Sequence, residues 1–154
     1  MTTLTKAEVF RRHGVELTRF ATSLVGPADA QDVVSDALVK AMWSDGWGDV
    51  ENQRAYLYRT VVSQARMLQR SQNRRRNREQ MVAPVAVIEA PLEGGIDVWE
   101  ALGYLSASER AAVFLTYWED LSEANTALRL GASERTVRRW LARARTKLGR
   151  LLHE

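Results

Sequence analysis

Apolar side chains recur along this chain every three to four residues, the spacing of one face of an α-helix. Phe10, Leu17, Phe20, Ala21 and Leu24 predict a first helix, stopped by Gly26-Pro27. Val33, Val34, Ala37, Leu38, Ala41 and Met42 predict a second. The two glycines of Ser44-Asp45-Gly46-Trp47-Gly48-Asp49 oppose helix and predict a break. Leu57, Tyr58, Val61, Val62, Ala65 and Leu68 predict a third helix, running into the polar tract 69–80. Residues 79–96 then change character, with Pro84, Pro91, Gly94 and Gly95 among small apolar residues and acids, the composition of a linker. Beyond it, Ser106-Ala107-Ser108-Glu109 has the spacing of a capping box and predicts a helix through about Trp118. Ser122 predicts the cap of a helix ending near Leu130, with Gly131 as its stop. Ser133 predicts the cap of a last helix that turns Val137, Leu141, Ala144 and Leu148 inward. No segment of useful length alternates with strand period. The predicted fold is all-α: two small helical domains, 1–78 and 97–154, joined by a linker over 79–96.

Charge changes the picture. The 154 residues carry a formal net charge of only +3, but it is unevenly spread. Residues 26–53 hold six acids against Lys40 alone, and residues 54–78 hold eight arginines and no acid. Residues 79–109 hold six acids and no base, and residues 132–154 seven cations against two acids. Two separate basic blocks predict two contacts with polyanions, of which DNA or RNA is the commonest. The absence of cysteine excludes a disulfide scaffold, a thiolate zinc site and a cysteine nucleophile. His13 and His153 are the only histidines, and neither stands at a catalytic spacing. There is no glycine-rich phosphate loop. The chain is therefore expected not to be an enzyme and to need no cofactor or metal. No apolar run approaches the ~18 residues of a membrane span, and the first ten residues have no signal-peptide core. The expected location is the cytoplasm.

Residues 121–141 have the form helix, glycine turn, helix, with small Ala127 four residues before Gly131. The exposed side of the second helix would carry Arg135, Arg138, Arg139, Arg143 and Arg145. This is the pattern of a helix-turn-helix. An arginine near the start of such a helix can take a guanine edge with two hydrogen bonds, while those further along meet phosphates. The plainer alternative is a helical hairpin with a solvated basic face. The stretch from Leu105 through Tyr117-Trp118-Glu119-Asp120-Leu121-Ser122, followed by Gly131-Ala132-Ser133-Glu134-Arg135-Thr136-Val137, resembles region 4 of bacterial sigma factors of the extracytoplasmic-function (ECF) group. The resemblance implies that Ser133, Arg135, Thr136, Arg138, Arg139 and Arg143 contact the distal promoter element.

The first half resembles region 2 of the same family. Asp29-Ala30-Gln31-Asp32-Val33-Val34-Ser35-Asp36-Ala37 is similar to its acidic helix, which implies docking of Asp29, Asp32, Asp36 and Lys40 on the clamp of core RNA polymerase. The three acids fall at i, i+3 and i+7, on one helical face. Asp29 and Asp32 could equally complement the helix dipole, but Asp36 lies too far along for that. Arg54-Ala55-Tyr56-Leu57-Tyr58-Arg59-Thr60-Val61-Val62 resembles the promoter-melting helix. Arg59, Ser63, Arg66 and Arg70 share one face, able to track a single strand's phosphates, with Arg54 at its start and Arg74, Arg75, Arg76 and Arg78 extending it. By resemblance, the loop over 44–53 holds a base pulled from the stack. Trp43 and Trp47 offer stacking faces there, against the alternative that they pack on the bundle.

The resemblance spans residues 8–78 and 97–152, with departures at Gln31, Ser35, Leu38, Ser63, Asn125-Thr126 and Trp140. Ser63 stands where an Asn is usual, and Trp140 where a basic or polar residue is usual. Thr126 replaces an apolar residue, which costs about 1–2 kcal/mol if its hydroxyl is buried unpaired. The implied function is that of a sigma factor binding core RNA polymerase and promoter DNA, with an anti-sigma factor as a possible partner. The alternatives are a degenerate sigma-like interaction module and a helix-turn-helix regulator that does not bind polymerase.

Overall fold

A computed structural model of the chain describes residues 5–82 and 98–152. Its elements are α1 (Lys6–Val25), α2 (Pro27–Met42), α3 (Gln53–Val82), α4 (Val98–Leu102), α5 (Ala107–Val113), α6 (Glu123–Leu130) and α7 (Glu134–Leu152), with one 3-10 turn, Trp47–Asp49, between α2 and α3. The described residues form no strand, so the chain is all-α as the periodicity predicts. The larger part of the predicted linker, residues 83–96, lies outside the described residues.

α1 opens with a capping box: the Thr5 hydroxyl accepts from the Glu8 N–H, and the Glu8 carboxylate accepts from the Thr5 N–H. It closes at Gly26, whose positive φ of 85° lets the chain turn at once into α2, with Pro27 at the first helical position. Leu17, Phe20, Ala21 and Leu24 are buried as predicted. Phe10 is not: it is 54% exposed, and Val9 is the buried residue of the first turns. Phe10 keeps the phase of the stripe, but its ring lies along Gly14 rather than under a neighbouring helix. Periodicity gives the direction of a side chain and not the reach of its partner.

α3 is longer than the apolar stripe suggests. The stripe ends at Leu68, yet the helix continues through the polar tract to Val82 and into the predicted linker. No glycine or proline interrupts residues 53–82, and Arg and Gln are good helix formers.

In the second half the predicted caps are present. Ser106 and Glu109 make the capping box of α5. The Ser122 hydroxyl accepts from the Asn125 N–H, and Gly131 ends α6 at φ 62°. The Ser133 hydroxyl accepts from the Thr136 N–H at the start of α7. After α5 the backbone widens into a π turn over Phe114–Trp118, where the Glu119 N–H donates to the Phe114 carbonyl five residues back. Asp120 then takes left-handed backbone, φ 57°, a conformation that Asp tolerates better than most residues. Val137, Leu141 and Ala144 are buried, and Leu148 is half-buried. Thr126 is fully buried, with its hydroxyl 3.3 Å from that of Thr116, so the departure from an apolar residue is answered by a hydrogen bond.

The two predicted domains pack against each other. One apolar core takes Leu17, Phe20, Leu57, Tyr58 and Val61 from the first half and Ala107, Ala111, Leu115 and Leu130 from the second. Polar contacts cross the same seam. Arg66 donates to the Ser108 hydroxyl at 2.9 Å, and the Ala107 N–H donates to the Gln69 side-chain carbonyl at 3.1 Å. Arg19 pairs with Glu119 at 3.0 Å, and the Arg129 guanidinium lies over the Tyr58 ring. Trp140, half-buried, touches this core and the smaller core of α4–α7, so it packs across the seam.

Candidate nucleic-acid interface

α2 has one buried side, made of Ala30, Val33, Val34, Ala37, Leu38 and Ala41. The opposite side presents Asp32, Asp36 and Lys40 to solvent, with Asp29 half-buried beside its first turn. The acidic face is therefore continuous and free to meet a basic partner. Lys40 sits at its far end, where a cation suits the helix dipole.

The structure separates the two tryptophans. Trp43 is 83% exposed, at the end of α2. Trp47 is 5% exposed and packs edge-on against Tyr56, so it is a core residue and offers no stacking face. A tryptophan in a glycine-rich loop fits either role in sequence. Here the left-handed Gly46 turns Trp47 back onto the bundle.

The arginine face of α3 is not uniform. Arg54 grips Glu16 with two hydrogen bonds, Nε to Oε1 at 2.8 Å and Nη2 to Oε2 at 2.6 Å. Burial by itself pushes the Glu16 carboxyl up, but Arg54 and His13 bring it below its ordinary value. The same bond holds Arg54 above its own usual range. Arg54 thus ties α3 to α1, and His13 serves that tie as a neighbour of Glu16 at 3.5 Å. Arg59, Ser63 and Arg66 share one wall of a crevice of about 270 Å³, whose other wall is Ser108, Ala111, Gly131, Ala132 and Trp140. Arg59 runs so close to Gly131 that a β-carbon there would lie 2.9 Å from its side chain. Arg70, Arg74, Arg75 and Arg78, further along, are exposed.

On α7, Arg135, Arg139, Arg143 and Arg145 are exposed, beside the Ser133 cap. Thr136 is half-buried, and its hydroxyl accepts from that of Ser133 at 2.9 Å. Arg138 leans between Glu123 at 3.9 Å and Glu134 at 3.6 Å, exposed pairs that dissolve readily before a phosphate. Arg145 donates to the Tyr117 hydroxyl. Sequence reasoning gave Glu109 a capping role but missed that its carboxylate is 3% exposed and bound to Lys147 at 2.6 Å. It also missed Arg110, largely covered at the seam; its place among Ala107, Ala111 and Val113 on α5 was the available signal.

Comparison with known proteins agrees with this geometry. The family model described as sigma-70 region 2 matches residues 9–75, and that of sigma-70 region 4 matches residues 96–148. The ECF RNA polymerase sigma factor SigM of Mycobacterium tuberculosis is 37% identical over 151 residues, covering 94% of this chain and 76% of that protein. The RNA polymerase sigma-E factor of Streptomyces coelicolor is 30% identical, covering 92% and 82%. Among solved structures, CnrH in complex with the cytosolic domain of CnrY superposes with a TM-score of 0.58 at 29% identity, over 95% of this chain and 86% of that one. The sigma factor RpoE bound to the anti-sigma factor NepR from Bartonella quintana gives 0.55 at 28%, over 95% and 94%. Both halves match in the family's order, so the chain belongs to the sigma-70 family, among its ECF sigma factors.

Proposed function

We propose a division of labour within an ECF sigma factor that directs transcription initiation. The face made by exposed Asp32, Asp36 and Lys40 with half-buried Asp29 anchors the chain to core RNA polymerase. Arg59, Ser63, Arg66 and Arg70 of α3 track the melted promoter strand, with Trp43 as an exposed stacking face at the end of α2. Ser133, Arg135, Thr136, Arg138, Arg139 and Arg143 at the start of α7 read the distal promoter element in the major groove. Arg54 and Trp47 take structural parts instead, holding α3 and its preceding loop to the bundle.

The observation that supports this reading best is the presence of three exposed faces of alternating sign, one acidic and two basic, on a single small molecule. A plain DNA-binding regulator has no use for the acidic face. The structure of RpoE with the anti-sigma factor NepR, and that of CnrH with the cytosolic domain of CnrY, extend the proposal to an anti-sigma partner for this chain.

Transcription in vitro with purified core polymerase tests the assignment. Arg138→Ala with Arg139→Ala is expected to abolish promoter-specific initiation at ~150 mM salt. Asp32→Ala with Asp36→Ala is expected to weaken capture of core polymerase while leaving duplex binding alone. Promoter use that survives the arginine pair unchanged removes α7 as the reading helix.

A further inference from the structure

A second pocket lies on the far side of the seam from the arginine crevice. It measures about 370 Å³, within the range of small-molecule sites. α1 contributes Arg19, Thr22 and Ser23, while Leu102, Arg110, Val113, Phe114 and Trp118 come from the second half. The walls are mostly apolar. The Thr22 and Ser23 hydroxyls are already committed to the carbonyls of Thr18 and Phe20.

Arg110 is the exception in this lining. Its Nε is shut off from solvent and has no hydrogen-bond partner, and no carboxylate among the described residues pairs with its guanidinium. Partial burial pushes its pKa down. The residue is half-buried, so its guanidinium is partly covered and has no counter-charge among the described residues. The neighbouring Glu119 does not answer it, being paired with Arg19 at the rim.

We infer that this seam pocket binds a small apolar carboxylate, its head on the Arg110 guanidinium and its hydrocarbon body along Leu102, Val113, Phe114 and Trp118. The chemical class is that of a medium-chain fatty acid. Arg is suited to the head group because its planar fork takes both carboxylate oxygens. The lining comes from both halves, so such a ligand binds the packed arrangement in preference to a separated one. It would therefore act as a brake on promoter binding.

The test is direct binding to the full chain, with no transcription step, so its failure leaves the promoter assignment untouched. Sodium laurate, below its micelle concentration, is titrated calorimetrically and by thermal melting, with acetate and dodecanol as controls. Laurate is expected to saturate at one molecule per chain and to raise the melting temperature. Acetate should do neither, and dodecanol should bind about tenfold more weakly or worse. Arg110→Met should weaken laurate about tenfold or more, while the unliganded variant melts no lower than the parent because an unpaired cation has gone. Absence of laurate binding, uptake without saturation, or equal affinity in Arg110→Met would each overturn the proposal. If that variant does not fold, Thr22→Trp on α1 fills the pocket from its edge and must abolish laurate binding; retained binding counts equally against it.

Discussion

Thr126 and Glu109 show how single polar side chains are carried inside so small a core. Thr126 keeps a buried hydroxyl because Thr116 stands opposite it. Replacement by Val conserves the shape and frees a Thr116 that can still reach water. The expected change in stability is therefore under about 1 kcal/mol, whereas Thr126→Ala, which also leaves a void, should cost more. Urea unfolding of the two variants side by side checks the order. Glu109 is a stronger case. Burial pushes its carboxyl up, but Lys147 and the N–H of Ser106 outweigh that and leave it below its ordinary value. A depressed carboxylate contributes stability that is complete above the unfolded value, about 4.3. It is lost as pH falls through the lower folded value. The parent should thus lose stability more steeply in acid than Glu109→Gln, and the gap between them should be widest near neutrality. Unfolding curves between neutral pH and strong acid measure it.

Among the elements, α3 has the most to say about what sequence discloses. Its first half was legible because Leu57, Tyr58, Val61, Val62 and Ala65 mark a buried face, and all five are buried. Among the described side chains beyond Gln69 all are exposed, so periodicity falls silent where helix propensity goes on. The caps of α5, α6 and α7 were legible because each is a local bond between residues three apart, Ser106 with Glu109, Ser122 with Asn125 and Ser133 with Thr136. Phe10 and Trp47 were not, since their burial depends on which distant element comes to cover them. Arg70, Arg74, Arg75 and Arg78 are exposed along the second half of α3. Arg70→Ala and Arg74→Ala should each lower the slope of log affinity against log salt for single-stranded promoter DNA by about 0.7. Duplex recognition by α7 should stay as it was. A salt titration with both DNA forms separates the two effects.

At the scale of the molecule, the sequence foretold the all-α class and the order of the halves, but not the seam between them. Ala107, Ala111 and Leu130 read equally well as the core of a free second domain. Nothing local in the chain marks that they lie against α1 and α3. The consequence for function is direct. Arg59, Ser63 and Arg66, proposed to hold a melted strand, face the turn between α6 and α7. On the proposed assignment, the turn between α6 and α7 lines the same crevice as the strand-tracking residues, so seating a strand there would require the halves to part. Glu119→Ala with Gln69→Ala removes an ion pair and a hydrogen bond across the seam without touching any proposed DNA contact. The double variant should show a larger radius of gyration by small-angle scattering and bind forked promoter DNA a few-fold more tightly. An unchanged radius with unchanged affinity would mean that the apolar seam alone sets the closure.

Gly131 carries that closure into heredity. The residue ends α6 in left-handed backbone, which asparagine also adopts with ease. It also leaves room for Arg59, which a β-carbon would push aside. A single Gly-to-Asn change would keep the helix pair intact and turn Arg59 loose. How readily such a protein opens could therefore drift between related lineages through one position outside the proposed polymerase and promoter contacts.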